Sequence, residues 1–302
     1  MYKKNLILGG ILLALVAITW AWNGPIKNHQ QKAGEEKNFL SDISFAKINR
    51  VEINRASSTV VLEKSEDKWK VGGTKTFYAK KEAVDELSFA LDKLAKEKIE
   101  LISTNKDKKS EFGADGKGIK VKIDQDGKTY EFFVGNSTAN FDGSYFSQAD
   151  TDKTWKVGVD LSSVFSRGEW RDDQIFSFLK ERASKARFQY PRYQFTVEKK
   201  ENKWYGTLPK KFVVTDDKVN KVLEVLENLK AAKIPKQDFK GTGLEKHSII
   251  VQVTGEQLDE TLMVGDCTKD NLCYVKRGSN DNIYLITKEQ RDALNKQSKD
   301  LK

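Results

Sequence analysis

Beyond residue 48 the chain alternates apolar and polar positions in short runs, interrupted in each half by a stretch at helical spacing. Residues 50–53 and 59–63 alternate with period two, and residues 68–71 add a third short run, which predicts three strands. Val84, Leu87, Leu91 and Leu94 then fall on one face of a helix. Alternation returns at 119–123 and 129–134, on either side of Asp126-Gly127, a dipeptide that tolerates the positive φ angles of a tight hairpin turn. Residues 144–147 and 154–157 read as two more strands, followed by a short segment at 161–165.

The same order is written a second time. Glu63, Lys64, Glu66, Lys68 and Trp69 match Glu198, Lys199, Glu201, Lys203 and Trp204 at an offset of 135 residues. The offset continues without a gap, pairing Phe77 with Phe212, Val84 with Val219, Leu91 with Leu226, Leu94 with Leu229 and Ile99 with Ile234. After a five-residue deletion the match resumes at 130, pairing Gly113 with Gly243, Ile119 with Ile249, Val121 with Val251 and Val134-Gly135 with Val264-Gly265. Tyr145 then corresponds to Tyr274. A period this long means duplicated domains and not a solenoid. In the second copy the helical stripe is Val219, Val222, Leu226 and Leu229, with Thr215 as cap and Asp216 and Asp217 in the acidic first turn. Its last strands are expected at 273–276 and 282–286.

Residues 6–22 are uncharged and nearly all apolar, behind Lys3 and Lys4. A helix there covers roughly 25 Å, slightly short of a typical hydrocarbon core but workable as a span. It begins at Leu6, and Trp20 and Trp22 stand at its far interface. Thr19 and Ala21 have the spacing of a signal cleavage site, but the two tryptophans crowd the cut, so the expected element is an uncleaved anchor. The basic end stays in the cytoplasm, and the body lies outside the cytoplasmic membrane. The predicted architecture is α+β: a transmembrane helix (1–23), a juxtamembrane linker (24–44), a repeat domain (45–167), a connector (168–185) and a second repeat domain (186–302). Each repeat is an antiparallel sheet with one long helix on a face. Trp170, Ile175 and Phe176 make the connector too apolar for a free linker, and are expected to pack between the copies.

Composition narrows the function. The 302 residues include 16 Phe, nine Tyr and six Trp, which supply core material and exclude wholesale disorder. The net charge is +9, but lysine alternates with glutamate and aspartate along the chain, which reads as a solvated surface and not a nucleic-acid face. Two Cys and two His argue against a four-ligand zinc site.

Candidate chemistry is sparse. His247 is the only histidine of the body, and no Gly-x-Ser-x-Gly elbow accompanies it. Gly241-Thr242-Gly243 lacks the rest of a dinucleotide fingerprint, and the glycines Gly113, Gly116 and Gly118 lead into a strand where a phosphate loop would lead into a helix. Asp124 and Asp126 begin like a calcium loop, but Lys128 and Gly135 stand where ligands are needed. Asp172 and Asp173 are adjacent, so on a strand their carboxylates point apart. Phe141, Tyr145, Phe146 and Trp155 are candidates for a glycan groove, with core packing as the plainer role. Cys267 and Cys273 replace Ser137 and Ser144 of the first copy at the two ends of a strand-to-strand loop, where a disulfide can close. No catalytic residue, cofactor or metal ligand emerges.

The chain also resembles a known family. Asp67-Lys68-Trp69 before an apolar helix, the Gly113 turn, Val134-Gly135, Tyr145-Phe146, Trp155 and the segment from Arg171 to Phe176 are similar to the bacterial envelope family called domain of unknown function 4340. The resemblance covers nearly all of the chain after residue 45. It implies a membrane-anchored exported protein beside gliding-motility-type ABC transport components, and no catalytic residues. The resulting expectation is a non-enzymatic docking or accessory subunit whose partner is a membrane protein, with an exported glycan- or cell-wall-binding module as the alternative.

Overall fold

The computed structural model describes residues 35–302 apart from Thr74, His247 and Ser248. The expected anchor with Leu6, Trp20 and Trp22, most of the expected linker, and His247 lie outside the described residues. Among the described residues no helix is long and apolar enough to cross a membrane. The described chain forms two antiparallel sheets with few helices, an α+β fold made mostly of strands. It divides into two compact units. The first is the described chain up to Val71 with Lys81–Trp170, and the second is Gly72–Lys80 with Arg171–Lys302.

The strands up to Tyr78 are β1 (Glu35–Glu36), β2 (Ile48–Arg55), β3 (Ser58–Ser65), β4 (Lys68–Val71) and β5 (Phe77–Tyr78). Helix α1 (Lys81–Lys96) follows, then β6 (Ile99–Ser103), β7 (Ile119–Gln125), β8 (Lys128–Ser137), β9 (Ser144–Ser147), β10 (Thr154–Val157) and α2 (Leu161–Phe165). In the first unit the strands lie in the order β1-β6-β10-β9-β8-β7-β2-β3-β4. Asp126 and Gly127 have φ of 49° and 76°, the left-handed pair that a tight β7–β8 hairpin requires. Alternation puts Val51, Ile53, Leu62, Val121, Ile123, Phe132 and Val134 on the inner face, all essentially buried. Helix α1 adds Ala83, Leu87, Ala90, Leu91 and Leu94 to this core. Each fully buried leucine contributes about 1.5–3 kcal/mol relative to exposure. The alanines broaden the expected stripe, while Val84 is only half-buried.

The body starts earlier than residue 45. Asn38 is buried and its Nδ2 donates to the Leu94 carbonyl at 2.6 Å. The Phe39 ring lies 5.8 Å from Phe146 and 5.2 Å from Trp155, and Leu40 is fully buried.

The second unit contains β11 (Ala183–Gln189), β12 (Gln194–Lys200), β13 (Lys203–Leu208), β14 (Phe212–Val213), α3 (Asp216–Glu227), β15 (Ile249–Gly255), β16 (Leu258–Cys267), β17 (Leu272–Arg277), β18 (Ile283–Thr287) and α4 (Lys288–Leu294). Its sheet runs β14-β13-β12-β11-β15-β16-β17-β18. This repeats the order β4-β3-β2-β7-β8-β9-β10 element for element from β13 to β18. Helix α3 buries Val219, Val222, Leu223 and Leu226, and Leu229 is buried just past its end. Thr215 stands at the N-cap, but its side chain makes no cap bond. β11 already begins at Ala183, so the last residues of the expected connector are strand.

Both units share a glycine lock. A Cβ on Gly135 would lie 2.3 Å from the Phe112 carbonyl oxygen, and one on Gly265 2.2 Å from that of Thr242. The following residues, Asn136 and Asp266, donate their N–H to the same two carbonyls at 2.8 and 2.7 Å. The Gly113 and Val134-Gly135 motifs, far apart in sequence, are therefore the two halves of one contact.

Candidate functional site

A concavity of about 790 Å³ lies at the β14 end of the second sheet. Glu201 and Asn202, with φ of 49° and 63°, turn β12 into β13, and β13 pairs with the short terminal strand β14. Gly206 has no room for a side chain, since a Cβ there would stand 2.2 Å from the Phe212 ring. The ring thus lies across β13 and meets Phe195 edge-on at 6.3 Å; Phe195 in turn stacks on Phe188 at 4.6 Å. The Trp204 N–H donates to Asp216 Oδ1 at 2.8 Å, tying β13 to the start of α3. The resulting groove is lined by Lys200, Lys203, Lys211, Tyr205, Phe212 and Val213, with the carboxylates of Glu201 and Asp216 leaving a small cationic excess. Val213 is 80% exposed and its register partner Tyr205 is 45% exposed. A short terminal strand, an open apolar pair and flanking lysines form a surface that can take up an extended segment carrying acidic groups.

The residues singled out from sequence separate into distinct places. Cys267 and Cys273 are register partners on β16 and β17 and are joined by a disulfide. Trp170, which closes the first unit, is buried, with the Arg167 guanidinium 5.6 Å from its ring. Ile175 and Phe176 are buried in the second unit, where both N–H groups donate to the Leu229 carbonyl and Arg277 lies 5.3 Å over the Phe176 ring. Asp172 Oδ1 accepts from the Gln174 N–H, and Asp173 pairs with Lys80 at 2.6 Å, so each carboxylate has a structural partner. Asp124 accepts from Thr129 within the β7–β8 hairpin. Phe146 and Trp155 are buried and present no ring face to a ligand, Tyr145 packs on Phe112 at 4.8 Å, and only Phe141 is open. Among the described residues no group of three or more His, Cys, Asp or Glu is placed to hold a metal ion.

The groove beside β14 went unread in the sequence. Phe212 and Val213 look like any two strand residues, and their exposure depends on where the sheet ends.

The fold and groove define a two-unit antiparallel-sheet protein with an open sheet edge in its second unit. The family model described as Domain of unknown function (DUF4340) matches residues 69–240 and again 204–302, and the chain belongs to that family. The second match begins at Trp204, the residue that the 135-residue offset pairs with Trp69, where the first begins. No curated protein and no solved structure matches the chain.

Proposed function

We propose that this protein is a non-enzymatic docking subunit of an envelope complex, held at the outer side of the cytoplasmic membrane by one N-terminal helix. Its groove beside β14 receives an extended, acidic segment of a membrane-protein partner, an ABC-type, gliding-motility-like transport component. The observation that carries this reading is Val213, 80% exposed on the terminal strand next to Tyr205. An apolar side chain on a sheet edge invites strand addition unless a partner covers it, and lysines at the rim favour an acidic partner. The uncharged run from Leu6 to Trp22 behind Lys3 and Lys4 supports the anchor and its orientation.

Purification in mild detergent, with mass spectrometry of co-eluting proteins, tests the assignment. The wild-type chain should bring down a membrane partner, and Val213→Glu should reduce its recovery at least about tenfold while leaving the melting temperature unchanged. Recovery of a lone monomer under several detergent conditions overturns the proposal. A reporter fused after Lys302 should be active only outside the cytoplasm; activity only inside overturns the topology.

A further inference from the structure

The outward face of the second sheet holds another groove, of about 370 Å³, lined by Lys185, Arg187, Gln194, Thr196, Gln252 and Thr254 together with Leu208. These residues alternate with the buried row Ala186, Phe188, Phe195, Val197, Val251 and Val253, so the pleat aims them away from the core. Register aligns them in two cross-strand rows: Glu198, Lys185, Thr254 and Thr196, Arg187, Gln252.

The first sheet has the same two rows in the same register, with different chemistry. There they read Glu63, Arg50, Asp124 and Val61, Glu52, Lys122. Arg50 is surrounded by acids, bonded to Glu52 and within 3.6 Å of Glu63 and 3.5 Å of Asp124. That face neutralises itself. In the second unit Arg187 replaces Glu52, Thr254 replaces Asp124 and Thr196 replaces Val61. Among the described residues Arg187 meets no carboxylate; its Nη2 donates to Gln194 Oε1 at 2.6 Å. The nearby acids stand outside the groove lining, Glu198 held by Lys185 at 3.2 Å and Asp259 by Gln252 at 2.9 Å. Thr196 is 1% exposed, and its buried Oγ1 has no hydrogen-bond partner among the described residues. An orphaned buried hydroxyl is costly, and a guanidinium fork beside it is suited to a tetrahedral oxyanion.

We infer that this groove binds the phosphate group of a small polyol ester. Arg187 and Thr196 take the phosphate oxygens, and the carboxamides and hydroxyl of Gln194, Gln252 and Thr254 take the hydroxyls of the carrier. The volume leaves room for more than a bare phosphate. The site is separate from the β14 groove, so it goes beyond the docking assignment, and either can fail without the other.

Calorimetric titration of the full chain in detergent tests the site with three probes: glycerol 3-phosphate, glycerophosphoglycerol as a lipid headgroup, and glycerol. At least one phosphate ester should bind saturably and glycerol should not. Arg187→Glu, which restores the residue of the first unit, should weaken binding at least about tenfold, and Thr196→Val severalfold, with denaturation midpoints unchanged. Binding of the diester alone assigns a lipid headgroup as the source, and binding of the monoester alone assigns a soluble ester. Val213→Glu should leave this binding intact. Absence of saturable binding by both esters, or binding that Arg187→Glu leaves unchanged, overturns the site.

Discussion

Ser137 and Ser144 of the first unit occupy the positions that Cys267 and Cys273 occupy in the second. Each pair is a register pair that follows a bulge, after Val134 in β8 and after Val264 in β16. The first unit fastens these strand ends with hydroxyls. Ser137 Oγ lies 3.2 Å from Asp160, the cap of α2, and Ser144 Oγ accepts the Ser162 N–H at 3.2 Å. The second unit fastens the same ends covalently, and starts α4 with its own capping box of Thr287 and Gln290. The outward rows diverge in the same way, self-neutralised in one sheet and left cationic in the other. Ser144 and Cys273 are both fully buried, so the serine-to-cysteine exchange swaps one small buried side chain for another within the same backbone register. The duplicated scaffold is thereby free to carry different surfaces.

The largest expected effect tests what the units share. Gly135→Ala and Gly265→Ala each drive a methyl group into a backbone carbonyl and should each cost about 2–3 kcal/mol in denaturant titrations of the full chain. A small cost in one unit alone would show that the glycine lock is not a common device.

The fastening comes next. Cys267→Ser with Cys273→Ser should cost the second unit about 2 kcal/mol, the loop-closure entropy of so short a ring. Intact-mass analysis of the wild-type chain, alkylated without reductant, should show no added alkyl groups. Ser137→Cys with Ser144→Cys should form the matching bond in the first unit; free thiols there would mean that the two loop ends are not interchangeable.

The smallest effect separates the outward faces. Hydrogen bonds from Asn54 and then Arg50 hold the Glu52 carboxyl below its ordinary 4.5. A lowered folded-state pKa gives stability that is present above 4.5 and is lost as the pH falls through the folded value. Acidification below 4.5 should therefore weaken the first unit through Glu52, and Glu52→Gln should flatten that dependence while costing about 0.5–1 kcal/mol at neutral pH. The second unit has Arg187 in this place and should show no such contribution.

The strand pattern was legible because period-two alternation and the Asp126-Gly127 turn are local signals. Strands β4, β9 and β10 have the bounds that their residues suggest. The duplication was legible because ordered apolar matches survive where surfaces have diverged. Helix α4 was missed although Thr287 and Gln290 carry a capping-box signal, since the segment has little apolar periodicity to accompany it. The aromatic group around Tyr145 could not be sorted from sequence, because only the assembled sheet decides that Phe146 faces the core and Phe141 the solvent.

Local chemistry along the chain thus specified most of the strands, the β7–β8 turn, the helix stripes and the repeat of one fold, but not β1, β5, β6 or β14. The tertiary structure alone decided that Asn38 is buried against α1, that β14 ends a sheet, and that Arg187, Thr196 and Gln252 stand in one row. Such rows come from backbone pairing between distant strands, whose register is set by the burial of the opposite face. No pattern within a single strand encodes which outward residues will become neighbours.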